Sequence, residues 1–155
     1  MKAVLQRVLS ARVVADGVES GKIAQGLYVL LGVEKGDEKN DAVLLADKIA
    51  KLRIFSDEND KLNLSINDVS GEILVVSNFT LNANYAHGNR PDYLSGAEPS
   101  LANELYEYFI SLLKERVSKV ESGVFGSDMK TEMLTDGPVT IIMESSVLKK
   151  KHAGV

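Results

Sequence analysis

The chain of 155 residues contains no cysteine and only two histidines, His87 and His152. Without cysteine there are no disulfides, no thiolate nucleophile and no zinc site built from cysteine. Two histidines are also too few for a three-histidine zinc site within one chain. We therefore expect a functional site that holds no metal ion and relies on backbone and hydroxyl groups.

Long apolar runs and an excess of positive charge are missing as well. No stretch approaches the roughly 18 uninterrupted apolar residues of a membrane span, and residues 1–12 lack the apolar region of a signal peptide. We therefore expect a cytoplasmic protein. The net charge of −4 gives no overall basic field for nucleic acid, although a local basic patch can still read one end of an RNA.

Length and composition indicate one domain, which we place at residues 1–145, followed by a C-terminal tail at 146–155. The tail is basic from Lys149 to His152 and is expected to be a solvated end. Arg53 and Arg90 are candidates for phosphate contacts, but surface arginines without such a role are commoner.

The apolar pattern predicts strands in the first third of the chain and again later. Residues 2–9 and 11–15 have strand character, and Asp16-Gly17 is a hairpin signal. Residues 26–33 form an apolar run typical of a strand buried on both faces. Further strands are predicted at 72–81, 129–134 and 139–143, while residues 56–67 read as a polar loop with weak strand character.

Two segments show the helical period instead. Residues 37–55 place apolar side chains on one helical face, and a second helix begins at Pro99, where the missing N–H costs nothing. The apolar stripe of this second helix is interpreted as core packing and comprises Leu101, Leu105, Tyr108, Phe109 and Leu112. The pattern predicts an α+β fold with mostly antiparallel strands and two helices packed on the sheet.

Two short motifs are the candidates for function. Residues 77–81 (Ser-Asn-Phe-Thr-Leu) place two hydroxyls at the end of an apolar strand, where they can act in catalysis or simply end the strand. A threonine nucleophile needs an activating base, and His87 is the one candidate histidine. Gly137-Pro138 lies between two predicted strands, where it is either a plain turn or a rigid backbone segment that approaches a ligand.

These motifs resemble those of the D-aminoacyl-tRNA deacylases. That family usually has Ser-Gln-Phe-Thr-Leu where this chain has residues 77–81, and Asn-x-Gly-Pro-Val-Thr where it has residues 135–140 (Thr-Asp-Gly-Pro-Val-Thr). The similarity extends over nearly the whole chain to about Met143. It includes residues 6–8, 26–33, 51–55, 88–91 and 123–126.

The resemblance implies a homodimer of small β-barrel-like subunits that need no metal and no cofactor. Each subunit's Gly-Pro loop, with its peptide bond cis, would reach into the partner's pocket. The pocket would receive the 3′-terminal adenosine of an aminoacyl-tRNA and the attached amino acid. The reaction would hydrolyse the ester of D-aminoacyl-tRNA, and of glycyl-tRNA, while L-aminoacyl-tRNA is rejected by a steric clash.

Specific residues receive roles from the same resemblance. The catalytic set comprises Ser77, Asn78, Phe79 and Thr80, with backbone N–H groups around Phe79 and Thr80 as candidates for the oxyanion stabiliser. Thr80 is either the nucleophile or a positioning group. The substrate-binding set comprises Gly137, Pro138, Val139, Thr140, Phe125, Met129 and Arg7, of which Arg7 and Met129 are expected near the Gly-Pro loop.

The chain departs from the family pattern at two positions, Asn78 in place of Gln and Thr135 in place of Asn. Thr at the second position is also common in a sister family that removes L-alanine mischarged on a threonine tRNA. Two alternatives therefore stay open: that sister activity, which the isomer of the Gly-Pro bond would discriminate, and a non-catalytic dimeric module that binds nucleic acid.

Overall fold

A computed structural model describes residues 1–152 of the chain. In this part, eight strands and three α-helices follow one another in the order β1 (Lys2–Ala15), β2 (Val18–Ile23), β3 (Gly26–Gly32), α1 (Lys39–Lys51), β4 (Phe55–Ser56), β5 (Leu62–Leu64), β6 (Glu72–Ser77), α2 (Pro99–Lys114), β7 (Val120–Ser122), β8 (Met129–Glu144) and α3 (Ser145–His152). A short 3₁₀ helix, Phe79–Asn82, follows β6.

The long strand β1 organises the main sheet. It pairs antiparallel with β8 along its whole length, with β3 through its first half and with β2 through its second half. The strands β3, β6 and β7 continue the sheet in parallel. Because β2 approaches β7, the sheet nearly closes into a barrel. This confirms the predicted α+β class and barrel-like sheet, whereas the homodimer stays a prediction.

The first hairpin follows from two residues. Asp16 and Gly17 have φ angles of 47° and 85° and connect β1 to β2 through the pair Ala15 and Val18. Two successive positive φ angles are what a two-residue hairpin of this twist requires, and Asp-Gly tolerates them. The predicted turn is therefore confirmed.

The strand β3 is buried nearly throughout, as its continuous apolar run predicts. At Gly26, a Cβ atom would overlap the carbonyl oxygen of Glu72 on the parallel neighbour β6. The backbones of β3 and β6 can therefore approach each other at this point only because residue 26 has no side chain.

The helices α1 and α2 cover one face of the sheet and pack against each other. The helix predicted at 37–55 is shorter at both ends: α1 begins after Glu38, whose N–H donates to the Asp41 carboxylate at 2.8 Å, and ends at Lys51. Residues 55–56 and 62–64 instead form a small hairpin of β4 and β5 in a separate sheet.

The prediction of two helices is wrong, because α3 is a third. Its first residue, Ser145, is buried and donates from Oγ to the carboxylate of Asp41 at 2.6 Å. Lys149 forms an ion pair with the same carboxylate at 2.8 Å, so this part of the basic tail is anchored and not free in solvent. The remaining basic side chains, Lys150 to His152, and residues 153–155 lie outside the described part, and the proposed boundary at residue 145 stays a prediction.

None of the helices within residues 1–152 has both the length and the apolar character that a membrane span requires.

Candidate functional site

A cavity of about 470 Å³ lies at the carboxyl ends of β3, β6 and β7. Because these three strands are parallel, the segments that leave them meet at one edge of the sheet, where the first two turns of α2 cover them. The cavity is lined by Leu31, Val33, Ser77, Asn78, Phe79, Tyr93, Gly96, Ala97, Pro99, Ala102, Tyr106, Phe125, Gly126, Ser127 and Met129.

The strand predicted at 72–81 ends early, at Ser77, because Asn78 starts the 3₁₀ helix. The Asn78 N–H still continues the pairing with β3, donating to the Leu31 carbonyl at 2.8 Å. Its side-chain oxygen then accepts from the Thr80 N–H at 3.2 Å and from the Thr80 hydroxyl. An asparagine in this capping position satisfies an otherwise unpaired amide of the first turn and stops the strand.

The 3₁₀ turn directs some residues of the 77–80 segment toward the cavity and leaves Thr80 outside it. Ser77, Asn78 and Phe79 line it, whereas Thr80 does not and its hydroxyl is bonded to Asn78. Among residues 1–152 we find no acceptor for the N–H of Phe79, whereas the N–H of Thr80 is already occupied by Asn78. Of the two amides predicted to stabilise an oxyanion, only that of Phe79 is available.

The inner wall of the cavity is built on Tyr106, which is fully buried in α2. Its hydroxyl donates toward the carbonyl oxygens of Val75, at 3.1 Å, and Gly123, at 3.3 Å, which ties β6 to the end of β7. Burial raises the pKa of this phenol, so the hydroxyl stays protonated and keeps donating. The Phe125 ring packs against it at 5.9 Å.

The rim of the cavity carries two aromatic rings. Phe79 is 66% exposed and Tyr93 is 38% exposed, and their rings meet edge to face with centroids 5.1 Å apart. Edge-to-face pairs hold two rings at a fixed angle. The rim therefore presents an ordered apolar surface to whatever enters the cavity.

The described side chains that line the cavity include no aspartate, glutamate, histidine, lysine or arginine. His87 lies on an exposed loop and is absent from the lining, so the structure does not bring this candidate base to the cavity. Among the described residues there is also no group of three or more His, Asp or Glu side chains placed to hold a metal ion. A reaction in this cavity must therefore proceed without a general base from the lining.

The Gly-Pro loop (residues 136–139) bulges out of β8. Gln6 pairs with Thr140 and Val8 with Thr135, so four residues of β8 stand opposite the single residue Arg7. The Gly137–Pro138 peptide bond is cis. Gly137 and Pro138 are exposed, whereas Val139 is half-buried against the core.

Arg7 anchors this loop. The whole residue is 7% exposed, and its side-chain Nε donates to the Asp136 carbonyl at 3.2 Å and contacts the Asp136 carboxylate at 3.0 Å. Its Nη1 donates to the carbonyl of Ile54 at 2.9 Å. The Thr140 hydroxyl closes the other side of the bulge with a 2.7 Å hydrogen bond to Gln6 Oε1. These contacts fix the backbone of the loop to β1.

The predicted site residues thus fall into two groups within one chain. The four catalytic candidates except Thr80 lie at the cavity with Phe125 and Met129, whereas Arg7 and residues 137–140 do not line it. Within one chain Met129 lies far from the Gly-Pro loop, so its expected place near that loop stays a prediction for the partner's loop. Met129 pairs with Ala15 and the loop stands opposite Arg7, eight residues away along β1, a path of roughly 26 Å.

Two aromatic residues of the lining, Tyr106 and Tyr93, were not among the predicted site residues. Tyr106 was not included in the apolar stripe of α2, although it is more deeply buried than Tyr108. Tyr93 lies in a polar loop without periodicity. Its only signal is proximity to Pro91 and Gly96, which is too weak to place a ring at the rim.

Comparison with known proteins finds relatives over nearly the whole chain. The family model described as D-Tyr-tRNA(Tyr) deacylase matches residues 4–144. The D-aminoacyl-tRNA deacylase of Dictyoglomus turgidum is 50% identical over 150 residues, covering 97% of this chain and 96% of its own. That of Caldicellulosiruptor bescii is 49% identical over 145 residues, covering 94% and 97%.

Two solved structures share the fold. One, titled c-Myc DNA Unwinding Element Binding Protein, is 37% identical, has a TM-score of 0.87 and matches 93% of this chain and 98% of its own. A probable eukaryotic D-amino acid tRNA deacylase has a TM-score of 0.78 at 14% identity, covering 92% and 98%, and supports the fold alone. With a family model that spans nearly the whole chain and relatives at about half identity over the same length, the chain belongs to the D-Tyr-tRNA(Tyr) deacylase family.

Proposed function

We propose that this protein hydrolyses the ester bond of D-aminoacyl-tRNA in the cytoplasm, and that of glycyl-tRNA, releasing free tRNA and the amino acid. The observation that carries the proposal is the cavity itself. It combines an aromatic rim, an amide N–H without an acceptor at Phe79 and a lining without ionisable acids or bases. Such a site suits an ester substrate that brings its own hydroxyl group to the reaction.

The size and rim of the cavity fit the end of a charged tRNA. Its volume of about 470 Å³ is within the usual range for small-ligand sites. Aromatic side chains such as Phe79 and Tyr93 are the common means of holding an unstacked base. The terminal adenine would lie against this rim while the aminoacyl group extends inward.

The chemistry needs few protein groups. Water attacks the ester carbonyl, a bond forms between the water oxygen and the carbonyl carbon, and the bond to the ribose 3′ oxygen breaks. The 3′ oxygen takes the proton that the water gives up, and the neighbouring 2′-hydroxyl of the substrate assists the transfer. The Phe79 N–H stabilises the negative charge that develops on the carbonyl oxygen, and Thr80 holds the turn in position.

A pair of variants isolates this amide. Phe79→Pro removes both the ring and the N–H, whereas Phe79→Ala removes the ring alone. Residue 79 is the first of the 3₁₀ helix, and Asn78 before it is extended (φ −146°, ψ 93°), so proline fits there. We expect kcat for Phe79→Pro to be at least about 100-fold below that of Phe79→Ala. Equal kcat values for the two variants would remove the amide from the mechanism.

Chiral selection is assigned to the Gly-Pro loop of a partner subunit. Three features support this: the loop is exposed, it is rigidly held by Arg7, and it does not line the cavity of its own chain. The outer edge of β8 has no partner strand among the described residues, and β8 carries the exposed side chains Leu134 (59%) and Ile142 (73%), as expected of a homodimer face.

In this arrangement the loop carbonyls would bind the α-ammonium of a D-aminoacyl group. An L side chain would collide with the same backbone, whereas glycine has no side chain to collide.

Mixed dimers test whether the loop acts on the partner. One subunit carries Phe79→Pro and the other Gly137→Ala, which strains the loop because Gly137 has a φ of 134°. Each homodimer is inactive or impaired, but a mixed dimer combines one intact cavity with one intact loop. Random mixing should restore about a quarter of the wild-type rate. No restoration, in dimers shown to exchange subunits, would place the loop and the cavity of one chain in the same site.

The two alternatives have separate readouts. Preferential hydrolysis of L-alanyl-tRNA would favour the sister activity. The second alternative is a non-catalytic module that binds nucleic acid, and the structural neighbour titled as a DNA-binding protein is the reason to test it. Binding of tRNA without hydrolysis of any charged form would favour the non-catalytic module.

A further inference from the structure

A loop of nine residues, 84–92, stands beside the rim of the cavity and has no part in the mechanism above. Its ends are joined by two backbone hydrogen bonds between Asn84 and Asp92, of 2.8 and 3.0 Å. The carboxylate of Asp92 is engaged at the base of the loop, accepting from the side-chain amide of Asn84 at 3.0 Å and from the Leu94 N–H at 3.1 Å. The loop is therefore closed at its base.

The base of this 84–92 loop is fixed to the wall of the cavity. Asn82 is buried and donates from Nδ2 to the Val33 carbonyl at 2.8 Å. The Ser95 hydroxyl donates to the Asn82 carbonyl at 3.0 Å. Between these anchors and the loop lies Tyr93, whose ring is part of the rim. Anything bound along the loop is therefore continuous with the entrance of the cavity.

The exposed side chains of this segment combine large apolar groups with an uncommitted cation. Tyr85 is 80% exposed and Leu94 is 75% exposed. Arg90 is exposed and makes no ion pair or hydrogen bond with another described residue. Each of the other four arginines does, with partners that include Asp136 for Arg7, Glu132 for Arg12, Asn63 for Arg53 and Asp47 for Arg116.

We propose that the 84–92 loop binds the single-stranded nucleotides that precede the terminal adenosine of the substrate tRNA, with Tyr85 stacking on a base and Arg90 contacting a phosphate. This inference rests on the proposed function and extends it beyond the cavity. An exposed ring and a free guanidinium on the same loop are a usual combination for binding a flexible single strand. Since the whole chain has a net charge of −4, affinity for tRNA must come from local contacts of this kind.

The test compares two substrates that differ only in these nucleotides. D-Tyr-tRNA carries them, whereas D-tyrosyl-adenosine presents the same ester without them. Tyr85→Ala and Arg90→Gln should each lower kcat/KM on D-Tyr-tRNA about tenfold. On D-tyrosyl-adenosine both variants should match the wild type. Arg90→Gln should also reduce the slope of log kcat/KM against log salt concentration by about 0.7, the value for one lost phosphate contact to a single strand.

Controls separate recognition from folding. Tyr85→Phe keeps the ring and should retain the wild-type rate, while Lys48→Gln removes an exposed charge on α1 and should leave the salt slope unchanged. Fluorescence anisotropy can measure binding of an oligonucleotide that has the sequence of the tRNA acceptor end and carries no amino acid. This binding should weaken in the same variants. Equal losses on both substrates, or no loss on either, would overturn the inference. Wild-type protein that cleaves neither substrate would instead overturn the proposed function.

Discussion

The buried arginine at the Gly-Pro loop allows a sharp test of how the loop is held. We consider Arg7→Met, which keeps the length and apolar stem of the side chain but removes its charge and donors. In the wild type, Arg7 Nη1 binds the Ile54 carbonyl at 2.9 Å and Nε lies 3.0 Å from the Asp136 carboxylate. The substitution leaves the buried Ile54 carbonyl and the partly exposed Asp136 carboxylate without this donor.

The expected loss in the free energy of unfolding follows from the burial of these groups. A hydrogen bond to a charged group contributes about 1.5–3 kcal/mol, and removing one partner of a buried pair costs about 3–5 kcal/mol. Because the Asp136 side chain is still 34% exposed and can bind water, we take the lower part of this range. We expect the free energy of unfolding to fall by about 3 kcal/mol, measured by urea denaturation at one fixed protein concentration with an unchanged m value.

A matched control lies on the same strand. Arg12 also reaches from β1 to β8, where it pairs with Glu132 at 2.6 Å, but this pair is exposed. Water screens an exposed pair, so Arg12→Met should lower the unfolding free energy by much less than Arg7→Met. Equal losses for the two variants would refute the reasoning from burial.

The same variant also probes function, because an unanchored loop cannot hold its backbone in place. We expect the ratio of kcat/KM for D-Tyr-tRNA over L-Tyr-tRNA to fall at least about tenfold for Arg7→Met, since small displacements of a positioning group cost this much. An unchanged ratio in a destabilised variant would show that Arg7 stabilises the fold and has no part in chiral selection.

Three further outcomes are expected. Thr80→Ala should lower the single-turnover rate about tenfold without abolishing it, whereas complete loss together with a trapped acyl-enzyme in the wild type would make Thr80 the nucleophile. Asp41→Asn should lower the unfolding free energy by about 2 kcal/mol near pH 7. Burial opposes ionisation of Asp41, but hydrogen bonds, the largest of them from Lys149, outweigh it and hold its pKa below the ordinary value. The carboxylate therefore stabilises the fold above about pH 4, and the difference between wild type and variant should vanish as the pH falls below that point; a difference that persists in acid would contradict this. Gly26→Ala should lower the unfolding free energy by about 3 kcal/mol or more, because its Cβ would overlap the Glu72 carbonyl, and a neutral effect in urea denaturation would show that β3 and β6 can move apart.

The sequence predicted those elements whose signals are local. The buried strand β3, the Asp16-Gly17 hairpin and the start of α2 at Pro99 each follow from a few neighbouring residues, and all are confirmed. The early end of β6 could not be predicted from apolar pattern alone. It depends on a side-chain oxygen of Asn78 that competes with strand pairing.

Features that depend on distant contacts were missed. The helix α3 is anchored by Asp41, more than 100 residues earlier, so a short polar sequence that predicts a free tail is held in place by a buried carboxylate. For the same reason the motifs supplied the candidate site residues, but not their separation into the cavity and the Gly-Pro loop. That separation is set by the register of β8 on β1.

Parallel hydrolysis of D-Tyr-tRNA and L-Tyr-tRNA by the wild-type protein tests the central claim most directly. We predict rapid release of D-tyrosine and an L-Tyr-tRNA rate at least about 100-fold lower, since a backbone clash excludes the L side chain. Glycyl-tRNA should be cleaved as well. Equal rates on the two tyrosyl enantiomers would contradict the account.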